Sequence, residues 1–337
     1  MRQSEAKHIY QQNPMNPALR DWKLWQDGNM RKRDFLTLQD YSKEEIWGLL
    51  ENTRRFKQKT ATRKEARKLE GKSIALLFQK ASTRTRVSFE VAVNQLGGQA
   101  IYLGWQEAHL GRGETIADTA RVLSRYVDGV VARVYRQADL DEMAEYADVS
   151  VINALSDLFH PCQVVADLYT ILERRGSLEG LRVAYVGDGN NVCNSLLIGC
   201  SKIGVNISVA CPSGYEPYSK AIEWARKNSK ASGSTVEILR EPKEAVRGAD
   251  VVYTDTFVSM GDEAEREDRL KVFLPKYQVR PDLFRNAADD ALFMHCLPAH
   301  RNEEVTDEVI DGPRSIVWDE AENRLHTAKA ILAVAIG

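Results

Sequence analysis

From Ser42 onward, short β-branched or apolar runs alternate with longer segments whose apolar residues recur at helical spacing. That alternation predicts parallel α/β architecture, with sheets covered on both faces. The first predicted helix opens at Ser42 with Glu45 three residues on, a capping box, and carries Ile46, Leu49, Leu50 and Phe56 on one face. Strands are predicted at Ile74–Phe78, Ala100–Leu103, Gly129–Val134 and Ser150–Asn153, separated by helical stretches near 84–96, 115–126 and 138–147. A second series is predicted at Leu181–Val186, Asn206–Ala210, Val236–Leu239, Asp250–Thr254 and Ala291–Met294. The two groups predict two doubly wound parallel-sheet α/β domains joined by interdomain helices near 161–175, with a final helix over 319–336 that crosses back to the first domain. The expected division is an N-terminal extension over 1–29, a first domain over 30–165 completed by the C-terminal helix 319–337, and a second over 166–318.

Composition narrows the function classes. The chain has 337 residues, enough for two domains with real cores, and its 46 Lys and Arg nearly balance 48 Asp and Glu. A formal charge of -2 offers no global attraction to nucleic acid or an anionic membrane, so any basic site must be local. The basic run over 54–70 reads as a solvated helix face. Five cysteines without C-x-x-C spacing read as free thiols in a reducing compartment, with cytoplasm as the default location. No run approaches the ~20 apolar residues a membrane helix needs. Residues 1–29 are polar, lack an apolar core and fit neither a signal nor a transit peptide; Met30 is an equally good start.

The candidate chemistry lies just past predicted strand ends. After Ile74–Phe78 come Ser82, Thr83, Arg84, Thr85 and Arg86, opening a helix. Hydroxyls, free N–H groups, the helix dipole and guanidinium donors together favour a phosphate; the same residues also read as a plain N-cap with its arginines in solvent. Arg133, His160–Gln163, Gly187–Asn191, Asp255–Gly261 and His295–Pro298 occupy corresponding places after later strands. Singly, His160 reads as a cap or core histidine and Cys296 as a buried inert thiol. Their shared position at the carboxyl edge of parallel sheets points to one interdomain cleft.

Three tempting motifs fail. Gly71-Lys72-Ser73 lacks the first P-loop glycine, since position 66 is Ala, and precedes a strand rather than a helix. Gly187-Asp188-Gly189 has Val192 where a dinucleotide fingerprint needs its third glycine, and no ribose-binding acid follows the next strand. Histidine and cysteine spacing matches no metal motif, so neither a metal nor a cofactor is expected.

Ser82–Glu90, His109–Glu114, His160–Gln163, Gly187–Asn191 and His295–Pro298, in this order, resemble the aspartate/ornithine transcarbamylase superfamily. Asp255, Ser259-Met260-Gly261 and His295-Cys296-Leu297-Pro298 resemble its ornithine transcarbamylase branch, and the likeness covers roughly residues 34–337. It implies carbamoyl transfer from carbamoyl phosphate to the side-chain amine of L-ornithine, giving citrulline and phosphate. It further implies that Ser82, Thr83, Arg84 and Thr85 cradle the phosphate. Arg133, His160, Gln163 and the backbone carbonyls of Cys296 and Leu297 would hold the carbamoyl end, with Arg324 as a further cation. Asn191, Asp255, Ser259 and Met260 would bind ornithine, and His109 would reach a neighbouring site in a homotrimer or a multimer of trimers. Ala81, Ala154 and Trp105–Ala108 depart from the usual pattern.

A primary amine with a pKa near ~10.4 must lose a proton before it attacks, so groups that accept it are required. Asp255 and Cys296 are the candidates, with Arg133, His160 and Thr85 stabilising the oxyanion. No covalent enzyme intermediate is needed. The rival readings are the same reaction on putrescine, an N-acylornithine or aspartate, and, in another class, a nicotinamide-dependent oxidoreductase or a silent binding protein on a similar scaffold. Synthesis for arginine and phosphorolysis of citrulline both remain open directions.

Overall fold

A computed structural model of the chain describes residues 32–61, 67–105, 113–259 and 263–337. Near-continuous apolar runs form the central strands, as expected where both faces of a parallel sheet are buried, while the edge strands Gln99–Gly104 and Val236–Leu239 are only partly buried. The first sheet contains β1 (Ser73–Phe78), β2 (Gln99–Gly104), β3 (Gly129–Arg133) and β4 (Ser150–Leu155) in the order β2-β1-β3-β4. The second contains β5 (Arg182–Val186), β6 (Asn206–Ala210), β7 (Val236–Leu239), β8 (Val251–Tyr253) and β9 (Leu292–Met294) in the order β7-β6-β5-β8-β9. Every pairing between these strands is parallel. Strand order reverses between β1 and β3 and again between β5 and β8. Ligand crevices of open α/β sheets lie at such reversals.

The principal helices are α1 (Lys43–Ala61), α2 (Thr83–Gln95), α3 (Ile116–Leu123), α4 (Gln137–Tyr146), α5 (Pro161–Arg175), α6 (Asn191–Ile203), α7 (Ser219–Ser232), α8 (Arg266–Phe273) and α9 (Val317–Ala335). The expected capping box forms at α1: the Ser42 amide donates to Glu45 Oε2 at 2.7 Å, and the Glu45 amide donates to Ser42 Oγ at 3.2 Å. Acidic neighbours take up the basic run, with Arg54 and Arg55 on Glu51 and Lys57 on Glu173. None of the helices among the described residues is long and apolar enough to cross a membrane.

Alternation along β1 divides the core. Ile74, Leu76 and Phe78 join one large apolar cluster, while Ala75 and Leu77 join another on the opposite face. The large cluster also takes Val183 and Tyr185 of β5 and residues of α1, α5, α6 and α9, so one core is continuous between the sheets. The far face of the second sheet packs around Ala184, Val186, Phe257, Phe273 and Phe293. α9 begins two residues before its expected start and runs from beside β9 back to the first sheet, where Ser150 Oγ donates to the Ala335 carbonyl at 2.8 Å. A side chain at Gly129 would meet Ile336 at 2.3 Å, so glycine at the start of β3 is what lets the chain end pack there.

Candidate active site

β1 delivers the chain to α2 through Gln79–Ala81. Ser82 is indeed an N-cap, its hydroxyl accepting from the Thr85 amide at 3.3 Å. The two arginines that follow separate. Arg86 is exposed, paired with Glu90 at 2.8 Å and lying over the Tyr102 ring, whereas Arg84 lines a cavity of about 910 Å³ between the two sheets. Buried Thr85 accepts from Arg133 Nη1 at 3.5 Å and Arg324 Nη2 at 3.4 Å. Arg133 ends β3, at a register shift against β4, and Arg324 comes from α9. Burial lowers the pKa of Arg84. It also lowers Arg133 to about 10, helped by the neighbouring Arg324 and Arg84. Among the described residues no carboxylate pairs with any of these three guanidinium groups. Three converging cations without a counter-charge fit an anion that arrives from outside.

His160 occupies the N-cap position of α5, but its side chain makes no capping bond. Its backbone amide donates to Ser195 Oγ at 2.8 Å, and its Nδ1 is buried without a partner. Burial, then the charges of Arg324, Arg133 and Arg84, hold its pKa well below 6.5, so the ring is neutral. One turn on, Gln163 Oε1 accepts from Arg324 Nη1, while its Nε2 donates to Asp167 Oδ1 at 2.8 Å and Glu320 Oε1 at 2.9 Å.

The second sheet forms the opposite wall. Asn190 caps α6, its Oδ1 accepting from the amides of Val192 and Cys193, and its Nδ2 donates to Asp255 Oδ2 at 2.7 Å. Asn191 Nδ2 donates to the Ser156 carbonyl at 2.6 Å, which ties α6 to the loop after β4. Asp255 Oδ1 accepts from the Thr256 amide at 2.8 Å and from Cys296 Sγ at 3.0 Å. Burial, then the Asp255 charge, pushes the Cys296 thiol well above its ordinary pKa, so it is a thiol that donates. Leu297 has φ 57, and its amide donates to His295 Nδ1 at 2.9 Å. That bond leaves His295 Nε2 to carry the proton toward Glu304, 3.1 Å away.

The cavity brings together Ser82, Thr83, Arg84, Thr85, Arg133, His160, Gln163, Asn191, Asp255, Ser259, Cys296, Leu297 and Arg324. His109 and Met260, expected in the site, lie outside the described residues. Lys80, Ser156, Arg266 and His300 also line the cavity, though sequence reasoning did not single them out, and so does Asn190 of the expected Gly187–Asn191 segment, to which no role was given. Asn190 carried a readable signal, an Asx residue directly before a helix. Asp188 is held by buried Arg269, whose Nε also donates to the Phe257 carbonyl at 2.7 Å, so it braces the loop. Among the described residues, two groups have ligand atoms within 4.8 Å of one another, Asp255 with His295 and Cys296, and His300 with Glu303 and Glu304. Hydrogen bonds already engage both: Cys296 serves Asp255, and Glu304 serves His295 and the His300 amide.

Comparison with known proteins places both halves. Residues 33–173 match the family model "Aspartate/ornithine carbamoyltransferase, carbamoyl-P binding domain", and residues 179–335 match "Aspartate/ornithine carbamoyltransferase, Asp/Orn binding domain". Ornithine carbamoyltransferase of Pyrococcus horikoshii is 58% identical over 309 residues, 92% of this chain and 97% of that protein. Anabolic ornithine carbamoyltransferase of Pyrococcus furiosus is 58% identical over 305 residues, 90% of this chain and 96% of that one. A solved structure of the Pyrococcus furiosus enzyme superposes with a TM-score of 0.88 at 57% identity, covering 91% of this chain and 98% of that one.

Proposed function

The chain belongs to the aspartate/ornithine carbamoyltransferase family, and from that premise we propose that its cleft transfers the carbamoyl group of carbamoyl phosphate to the side-chain amine of L-ornithine. The observation that carries this reading is the facing of two unlike walls across one cavity. On one wall are three guanidinium groups that pair with no carboxylate among the described residues; on the other, Asp255 is hydrogen-bonded to Cys296.

In this reading the Ser82–Thr85 turn, with Arg84, receives the phosphate at the N-terminus of α2, where amides and dipole favour negative charge. Arg133, neutral His160, Gln163 and Arg324 receive the carbamoyl end, together with the carbonyls of Cys296 and Leu297. Asn191, Asp255, Ser259 and Met260 receive ornithine, with Asp255 as the partner of its cationic nitrogen. Those assignments divide the chain into a carbamoyl phosphate-binding part, 30–165 with 319–337, and an ornithine-binding part, 166–318.

The ammonium of ornithine gives up one proton, for which the Asp255 carboxylate, oriented by the Cys296 thiol, is the acceptor. The freed nitrogen lone pair attacks the carbonyl carbon, forming the C–N bond. The C–O bond to phosphate then breaks, its electron pair leaving with the phosphate, which takes up the second proton released by the newly bonded nitrogen, and Arg133, His160 and Thr85 stabilise the oxyanion in between. In this reading Cys296 orients Asp255 rather than attacking, since burial and the Asp255 charge favour the thiol over the thiolate that attack requires. The name of the Pyrococcus furiosus relative supports the anabolic direction, toward arginine biosynthesis. We place the enzyme in the cytoplasm, as a homotrimer or a multimer of trimers in which His109 completes a neighbour's site.

An assay of carbamoyl phosphate with ornithine, putrescine, N-acetylornithine and aspartate tests the reading. Carbamoylation of ornithine at least about tenfold above the other amines is expected, since N-acetylornithine lacks the cationic α-nitrogen that a carboxylate would pair with and putrescine lacks the α-carboxylate. Preference for another amine, or no carbamoyl product at all, would overturn it.

A further inference from the structure

Behind Gln163 lies a pair of buried carboxyls that the transfer itself does not use. Asp167 follows Gln163 by one turn of α5, and Glu320 precedes Arg324 by one turn of α9; both are essentially inaccessible to solvent. Each accepts from Gln163 Nε2. Glu320 Oε1 also accepts from the Tyr253 hydroxyl at 3.0 Å, and its Oε2 accepts from the His295 amide at 3.1 Å. Tyr253 ends β8, and His295 directly precedes Cys296. Asp167 Oδ2, by contrast, is buried without a hydrogen-bond donor among the described residues.

We infer that Asp167 and Glu320 are positioning residues for the transfer: they hold the Gln163 amide with its nitrogen turned inward and its oxygen presented to the carbamoyl end of the donor, and Glu320 ties that end to the Cys296 loop. Arg324 has no acceptor, so the Gln163 atom it meets must be oxygen. The two carboxyl oxygens behind then saturate the amide nitrogen, and a second lone pair on Oε1 remains for a carbamoyl N–H. Burial raises both carboxyls above their ordinary range, and the neighbouring Asp167 raises Glu320 further. The ionisable groups facing the pair are Arg324 from α9, Tyr253 from β8, Cys200 from α6 and Cys296 from the loop after β9.

The donor pattern separates the two residues. Asparagine at 167 retains an oxygen for Gln163 and puts its NH2 where Oδ2 accepts nothing. Glutamine at 320 must face a donor with a donor, whichever way its amide turns. This inference rests on the carbamoyl-transfer reading, and steady-state kinetics with carbamoyl phosphate and ornithine keep the two distinguishable. Failure of that reading appears as no citrulline from the wild-type enzyme. Given wild-type activity, Asp167→Leu is expected to raise the KM for carbamoyl phosphate about tenfold, the scale of one lost hydrogen bond in a buried network, with the KM for ornithine unchanged. Asp167→Asn is expected to rescue that KM, and the difference between the two variants should vanish in a Gln163→Ala background. Equal KM values for Leu and Asn at 167, or a difference that persists without Gln163, would overturn the proposal. Should Asp167→Leu fail to fold, Glu320→Gln compared with Asp167→Asn decides. A weaker carbamoyl phosphate complex for Glu320→Gln, by about tenfold or more in calorimetry, supports it, and equal affinities overturn it.

Discussion

Cys296 Sγ donates to Asp255 Oδ1 across 3.0 Å, and the other oxygen of the same carboxylate accepts from Asn190 Nδ2 at 2.7 Å. The thiol therefore orients a carboxylate that a diamino acid would approach. Replacing Cys296 by Ala removes one of the groups that fix Asp255 and leaves the three arginines untouched. The expected outcome is a fall in kcat of about tenfold to a hundredfold, the scale of misplacing one catalytic group, with affinity for carbamoyl phosphate unchanged. Rapid-quench mass spectrometry of the wild-type enzyme should show no carbamoyl adduct on Cys296. Such an adduct, formed at a competent rate, would make the thiol a nucleophile instead.

Arg84 and Arg86 are two residues apart on α2 but face different surroundings, the first in the cavity and the second on Glu90 in solvent. Arg84→Ala should weaken carbamoyl phosphate and inorganic phosphate binding by about 2–3 kcal/mol, through loss of a charge-assisted donor. Arg86→Ala should leave both affinities near wild type. Isothermal titration checks this, and equal losses for the two variants would remove the phosphate from the α2 turn.

The neutral ring of His160 gives folding a pH dependence of known sign. Its folded pKa lies well below 6.5, owing first to burial and then to Arg324, Arg133 and Arg84. As pH falls below about 6.5 the unfolded chain takes up a proton at this residue before the folded chain does, so stability declines toward acid. His160→Gln removes that uptake. The melting temperature of the variant should fall less than that of the wild type between pH 7.5 and 5.5; parallel declines would show that the ring titrates normally in the folded protein.

Strand positions were legible because a buried parallel strand must be apolar on both faces. Asn206–Ala210 and Val236–Leu239 appear as expected, and the others differ only at their ends. β4 extends through Leu155, two residues past its expected end, because the backbone of Ala154 and Leu155 continues beside β3 across the register shift at Arg133. The cavity residues were legible because polar groups after successive strands share one edge. Asp167 and Glu320 were not, since a carboxyl one helical turn from its neighbour looks like a solvent face until the partner helix is known. The contact of Phe35 with β4, where its amide donates to the Val151 carbonyl at 2.8 Å, was equally hidden. A single residue pairing outside a strand has no period.

Gly189 shows where the loop after β5 has no room to spare. A methyl group there would lie 2.2 Å from the Pro217 nitrogen and 2.4 Å from the Glu216 carbonyl carbon, both backbone atoms that no rotamer change can move. The next residue, Asn190, caps α6 and holds Asp255, so displacement of this loop reaches the ornithine wall directly. Gly189→Ala should cost about 1–3 kcal/mol of stability, the usual scale of overpacking, and should raise the KM for ornithine more than that for carbamoyl phosphate. Gly48, within α1, has nothing within 4 Å of its added methyl. Gly48→Ala should therefore leave both KM values unchanged and add about 0.5–1 kcal/mol of stability by helix propensity. Chemical denaturation and two-substrate kinetics on the pair of variants check both halves, and a Gly189→Ala enzyme with wild-type KM for ornithine would separate this loop from the amine site.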